Sequence, residues 1–207
     1  MLSKFICWLT KIVVRMYCII FIKLDVQGLE NIPQDSGGIL AANHRSTFDG
    51  FLLFSLINKK VYALIKSDFF QNSLLCWYLK TGGGIPVKKG ASRLSAMRET
   101  QGILRENNFL IVFPEGRVNP GATLLPFQNT FIGLSLKYNV PIIPIIIIGS
   151  ERALARGQWI PRPAEIQVII KEPIMFNPPS DDKDTIDLHA QQVREIIAQT
   201  LVDPPIP

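Results

Sequence analysis

The chain has 207 residues, 47% of them hydrophobic and only 19% charged, which suits one domain with a sizeable core that keeps some apolar surface against lipid or a partner. Its net charge of +5 is uneven: residues 1–117 carry 15 Lys and Arg against 8 Asp and Glu, whereas residues 118–207 carry 7 against 9. The basic part would draw anionic lipid, phosphate esters or nucleic acid, while three widely spaced cysteines, Cys7, Cys18 and Cys76, argue against a disulfide frame and have no metal-ligand spacing.

Residues 2–22 are apolar but interrupted by Lys4, Lys11 and Arg15. They lack the unbroken apolar core of a secretory signal and the roughly 20 uncharged residues of a spanning helix. On a helical wheel the three cations fall within about 40° of one another. The rest of the circumference is apolar, with Trp8 and Tyr17 among it. This pattern predicts an in-plane membrane helix over residues 1–23, with Lys4, Lys11 and Arg15 meeting lipid phosphates and Trp8 and Tyr17 at the interface. A core helix with one wet edge would show a similar pattern.

Residues 24–207 read as the second unit. A short strand at Leu24–Gln27 and a turn through Gly28 and Pro33 lead to a strand at 37–42. Asn43-His44-Arg45-Ser46-Thr47-Phe48-Asp49 follows. The chain has two histidines, and the other, His189, lies in a polar C-terminal segment. A histidine held by a carboxylate takes a proton from a hydroxyl near neutral pH. On one continuous helix residues 44 and 49 would point roughly 140° apart. They converge if His44 ends a strand, the chain turns, and Asp49 lies in the first turn of a helix capped by Ser46 or Thr47. A strand-end histidine bonded to a helix terminus for structural reasons fits the same residues.

Helices are expected at 49–58, 68–80, 91–107, 127–138 and 185–201, and strands at 61–65, 109–113, 142–148 and 165–171. The alternation predicts an α/β fold: one layered domain with a largely parallel central sheet flanked by helices, plus the N-terminal amphipathic helix. Between the second and third of these helices, Gly82-Gly83-Gly84-Ile85-Pro86-Val87-Lys88-Lys89-Gly90 joins flexible backbone to two cations suited to a phosphate, without the Gly-Lys-Ser/Thr of a P-loop. Phe113-Pro114-Glu115-Gly116-Arg117 follows the 109–113 strand. It places a carboxylate and a bidentate cation where α/β sheets build ligand crevices. Val140-Pro141-Ile142-Ile143-Pro144 suggests an edge bend or a pocket wall. The basic residues do not form an aromatic-interleaved patch, so no nucleic-acid partner is expected.

Four segments in this order, Asn43-His44-x4-Asp49, Gly83-x-Ile85-Pro86-Val87-x-Lys89, Phe113-Pro114-Glu115-Gly116-Arg117 and Val140-Pro141-Ile142-x-Pro144, resemble the blocks of the glycerolipid acyltransferase family. That family includes 1-acylglycerol-3-phosphate acyltransferases and tafazzin-like remodelling enzymes. The resemblance covers about residues 37–150. It implies a phospholipid-synthesis or remodelling enzyme, monotopic on the cytoplasmic face of the cell membrane. Such an enzyme carries a fatty acyl group from acyl-CoA or acyl carrier protein to a lysophospholipid hydroxyl, most simply that of lysophosphatidic acid. It needs no metal and no cofactor beyond the acyl donor. Carried over, His44 resembles the general base and Asp49 its orienting partner. Glu115, Gly116, Arg117, Lys88 and Lys89 resemble the acceptor-phosphate site. The third block departs from the usual Glu-Gly-Thr-Arg and is closer to a tafazzin-like form. Phe127-Gln128-Asn129-Thr130 stands where Phe-Lys-x-Gly is usual. These departures bear on the head group more than on the reaction. A thioesterase or lipid hydrolase, and a non-catalytic lipid-binding module, are the alternatives; no Gly-x-Ser-x-Gly elbow supports the first.

Overall fold

The computed structural model describes residues 2–87, 93–121, 123–154, 158, 162–177 and 182–202. Helix α1 (Leu2–Phe21) runs directly into β1 (Ile22–Gln27). There follow β2 (Gly38–Ala42), α2 (Phe48–Leu56), β3 (Val61–Lys66), α3 (Ser73–Thr81), β4 (Gly84–Val87), α4 (Arg93–Arg105) and β5 (Phe109–Val112). The remainder comprises α5 (Thr130–Tyr138), β6 (Ile142–Ile148), a short α6 (Ser150–Ala153), β7 (Ala164–Ile170) and α7 (Lys183–Val202).

The seven strands form one sheet in the order β1-β7-β6-β2-β5-β3-β4. Every neighbouring pair is parallel except β6 and β7. The predicted α/β architecture is therefore the observed one. Its central strands are apolar on both faces because both are covered. Ile39 and Ala41 of β2 join Ile142 and Ile146 of β6 against α5 and α7. Leu40, Ala42, Ile143, Ile145 and Ile147 turn the other way, toward Leu52 and Leu53 of α2 and Cys18 of α1. This is the two-residue period of strand side chains. Each such isoleucine withdrawn from water contributes about 1.5–3 kcal/mol.

Two segments differ from the sequence reading. Gly84–Val87, read as part of a phosphate loop, is the edge strand β4, with Pro86 beside Ile65 of β3. An edge position tolerates the missing amide donor. Pro144, read with Pro141 as an edge bend or a pocket wall, makes no edge bend: it lies inside the central strand β6, beside Ala41 of β2. Its carbonyl accepts from Lys171 N.

Candidate functional site

The strands β6, β2, β5, β3 and β4 all run the same way, so their carboxyl ends share one edge of the sheet, where α/β folds place ligands. β2 stops at Ala42, but Asn43 continues its ladder by side chain. The fully buried carboxamide donates Nδ2–H to Ile147 O at 2.9 Å and accepts from Ile147 N at 2.7 Å. The amide thus takes the place of one more pair of strand hydrogen bonds and fixes the direction in which His44 leaves the sheet.

The chain then turns so that Asp49, in the first turn of α2, comes back to His44. Asp49 Oδ2 lies 3.0 Å from His44 Nδ1 and accepts from Arg45 N and Ser46 N at 2.8 Å each. Ser46 Oγ accepts from Phe48 N and donates to Leu154 O at 2.7 Å. Of the two predicted caps it is therefore Ser46 that serves the helix start; the Thr47 side chain makes no cap bond. The carboxylate can only accept, so Nδ1 carries the hydrogen and the Nε2 lone pair is left to act as a base. Asp49 is fully buried, whereas 17% of the His44 side chain reaches solvent. The other Asp49 oxygen, Oδ1, is buried with no hydrogen bond among the described residues. Beside the turn, Arg45 Nε lies 3.2 Å from Glu151 Oε2 on α6.

The segment after β5 supplies the opposite wall. The Phe113 ring stacks on the His44 imidazole with centroids 3.9 Å apart and planes 15° apart. Glu115, expected at the acceptor phosphate, is instead a brace and only 6% exposed. Its Oε1 accepts from His44 N at 3.1 Å. Its Oε2 accepts from Asn119 Nδ2 at 2.7 Å and Leu125 N at 3.0 Å. Both oxygens of Glu115 are thus committed to N–H donors within the protein. Asn119, which the sequence reading did not single out, closes the same contact, since its own N–H donates to His44 O at 2.6 Å. The backbone of His44 is thus gripped at both N–H and C=O from one loop.

Gly116 takes a left-handed φ of 68°. A Cβ there would press only on the movable end of the Gln128 side chain, so it is the backbone conformation that calls for glycine. Arg117 is exposed, with no hydrogen bond or ion pair among the described residues. Its guanidinium is available to an anion. Lys88 and Lys89 lie outside the described residues.

The expected membrane residues divide. Lys4 and Trp8 are exposed, and Trp8 packs on Phe5. Lys11 and Arg15 do not project toward lipid as expected. Lys11 Nζ donates to Ile57 O at 2.5 Å, and Arg15 donates to Ser55 O at 2.9 Å and Asn58 Oδ1 at 2.8 Å. The physical reason is that the last carbonyls of α2 have no partner within the helix and attract cations. Burial, and then the neighbouring Arg15 charge, push the Lys11 pKa down. Tyr17 also turns inward, stacking on Phe21 and meeting Phe48 edge-on. Lys11 and the partly solvent-exposed Arg15 are thus tied to the protein, Lys4 stays exposed, and the other exposed large side chains of α1 are apolar.

A family model described as Acyltransferase matches residues 23–148. A chloroplastic 1-acyl-sn-glycerol-3-phosphate acyltransferase of Brassica napus is 26% identical over 87% of this chain and 52% of its own length. A 1-acyl-sn-glycerol-3-phosphate acyltransferase of Pseudomonas aeruginosa is 25% identical over 81% of this chain and 63% of its own. The crystal structure of the 1-acyl-sn-glycerophosphate acyltransferase PlsC from Thermotoga maritima superposes with a TM-score of 0.80 at 25% identity, covering 99% of this chain and 83% of that one. The chain spans between about half and two thirds of the length of these and similar curated relatives.

Proposed function

The chain belongs to the acyltransferase family, and on that premise we propose that it moves a fatty acyl group from an acyl-CoA or acyl-carrier-protein thioester to the free hydroxyl of 1-acylglycerol-3-phosphate, in phospholipid synthesis. His44 Nε2 takes the hydroxyl proton as the oxygen attacks the thioester carbonyl carbon. The new C–O bond forms, the C–S bond breaks, and the departing thiolate recovers the proton from the imidazolium. Asp49 holds the ring in the reacting tautomer and faces the positive charge that develops on it. Arg117 grips the acceptor phosphate through charge-assisted hydrogen bonds. Lys88 and Lys89 belong to the same reading. The reaction as written draws on no metal or resident cofactor.

The observation that carries this reading is the 3.0 Å contact of His44 Nδ1 with a buried carboxylate already bonded to two backbone amides. It leaves Nε2 as the basic atom of the ring. The relatives named above are 1-acylglycerol-3-phosphate acyltransferases, which supports the acceptor.

The place of action in this reading is a bilayer surface, on its cytoplasmic side, with the enzyme monotopic. Among the described residues no helix is long and apolar enough to cross a membrane. The outward face of α1 exposes Phe5, Trp8, Val13 and Ile19, and α3 adds Leu74 and Trp77. Contiguous apolar surface of this kind suits an interfacial helix pair. The test is a product analysis: one acyl-CoA offered with a panel of lysolipids. Phosphatidic acid formed from 1-acylglycerol-3-phosphate is the expected result. Free fatty acid released equally with and without acceptor would replace acyl transfer with hydrolysis, and no product from any combination would leave a lipid-binding module.

A further inference from the structure

Helix α1 touches α2 at both ends. Near the carboxyl end of α2, Lys11 Nζ donates to Ile57 O, and Arg15 spans Ser55 O and Asn58 Oδ1. Lys11 Nζ also sits 4.9 Å from the centre of the Phe54 ring. At the amino end, Tyr17 meets Phe48 edge-to-face at 5.9 Å, and Phe48 is the residue before Asp49. The contacts run antiparallel, from Lys11 with Ile57 to Tyr17 with Phe48. α2 has nine residues and by itself is too short to be a stable helix. It must be held by its surroundings, and it carries the carboxylate that orients His44.

We propose that α1 is a splint for α2, and that Lys11 and Arg15 are positioning residues for the His44–Asp49 pair rather than lipid-phosphate ligands. The two faces of α1 then have separate tasks. The apolar outward face meets the bilayer. The inward cations anchor the far end of α2 so that Asp49 Oδ2 stays within hydrogen-bond reach of His44 Nδ1. The kinetic consequence rests on the acyl-transfer reading, but the positioning itself does not depend on which acceptor is used. A shift of the carboxylate by as little as about 1 Å would cost on the order of 100-fold in turnover.

The test uses the full chain with Lys11→Met and Arg15→Met combined. Turnover is measured on 1-acylglycerol-3-phosphate dispersed in non-ionic detergent. Binding is measured by sedimentation with vesicles of phosphatidylcholine and phosphatidylglycerol, and amide exchange of residues 48–56 is followed against that of β6. The splint predicts a kcat lower by about 10–100-fold with little change in KM, faster exchange across α2 alone, and retained sedimentation. Two lipid-facing cations would instead cost about 30-fold in vesicle binding. That result, with α2 exchange and detergent turnover at the parent values, overturns the proposal.

If the paired variant does not fold, Arg15→Met is compared with Lys4→Met on the same helix. The splint requires Arg15→Met to act on α2 exchange and Lys4→Met mainly on sedimentation; equal effects of the two on α2 exchange reject it. A parent protein inactive on every lysolipid would sink the acyl-transfer reading, while the exchange measurement would still decide the splint.

Discussion

The turn after β2 and the turn after β5 form two walls of one site, and they are built in opposite ways. Around His44 and Asp49 the main chain is tied down: two amides on Asp49 Oδ2, Glu115 on His44 N, and Asn119 on His44 O. Two residues beyond Glu115, Arg117 is exposed and bonded to none of the described residues. In the proposed reaction the difference separates two jobs. A general base must stand in one place before the substrate arrives, because misplacement costs rate. A phosphate clamp must exchange solvent for ligand, so its donors are left open. Glu115 and Arg117 are neighbours in one motif, yet one belongs to each kind of wall.

Substitutions can break or sharpen that contrast. The largest effect is expected at the base: His44→Ala should lower kcat by about 10²–10⁴-fold, with the thermal midpoint and vesicle sedimentation near the parent values. Turnover within tenfold of the parent would remove His44 as base. Next comes the brace. Glu115→Ala takes the carboxylate from the part-buried donors of His44, Asn119 and Leu125, and should cost about 1–3 kcal/mol of stability, read as a lower denaturant midpoint, together with a fall in kcat. If only KM rises, Glu115 belongs with Arg117 after all.

Arg117→Ala should behave in the opposite manner. The acceptor KM should rise by about 10–100-fold through loss of a charge-assisted contact, with stability unchanged and the effect weaker at high salt. A normal KM for 1-acylglycerol-3-phosphate would place the phosphate elsewhere. The smallest effect concerns the ring over His44. Phe113→Leu removes a stacked partner worth about 0.5–1.5 kcal/mol and should reduce kcat by roughly 2–10-fold, with Phe113→Tyr restoring it. Loss of the upfield ring-current shift of the His44 protons in the leucine variant would tie the change to the stack.

Much of this was legible in the chain. Short β-branched runs bounded by Gly, Pro and Asn located six of the seven strands. β4 was hidden because its glycines and Pro86 resemble a loop, and only a place at the sheet edge makes such a sequence a strand. The geometry linking His44 to Asp49 followed from the five-residue offset, since no continuous helix brings those two side chains together. The direction of Lys11 and Arg15 did not follow. A wheel puts them on one stripe but cannot say which side of the helix meets protein, and unpaired carbonyls on α2 drew the stripe inward.

Local chemistry in the sequence was sufficient for the layered α/β class, the strand-turn-helix that unites an imidazole with a carboxylate, and the family. The first two depend on periodicity and short spacings, which are written in consecutive residues, and the family on the resemblance of four ordered segments. Tertiary structure alone decided that Glu115 grips the backbone of His44, that Asn43 and Asn119 lock the turn, and that α1 lies with Lys11 and Arg15 against α2. Each of these rests on which donor meets which acceptor across tens of residues, and a buried polar group takes whatever partner the packed fold brings to it.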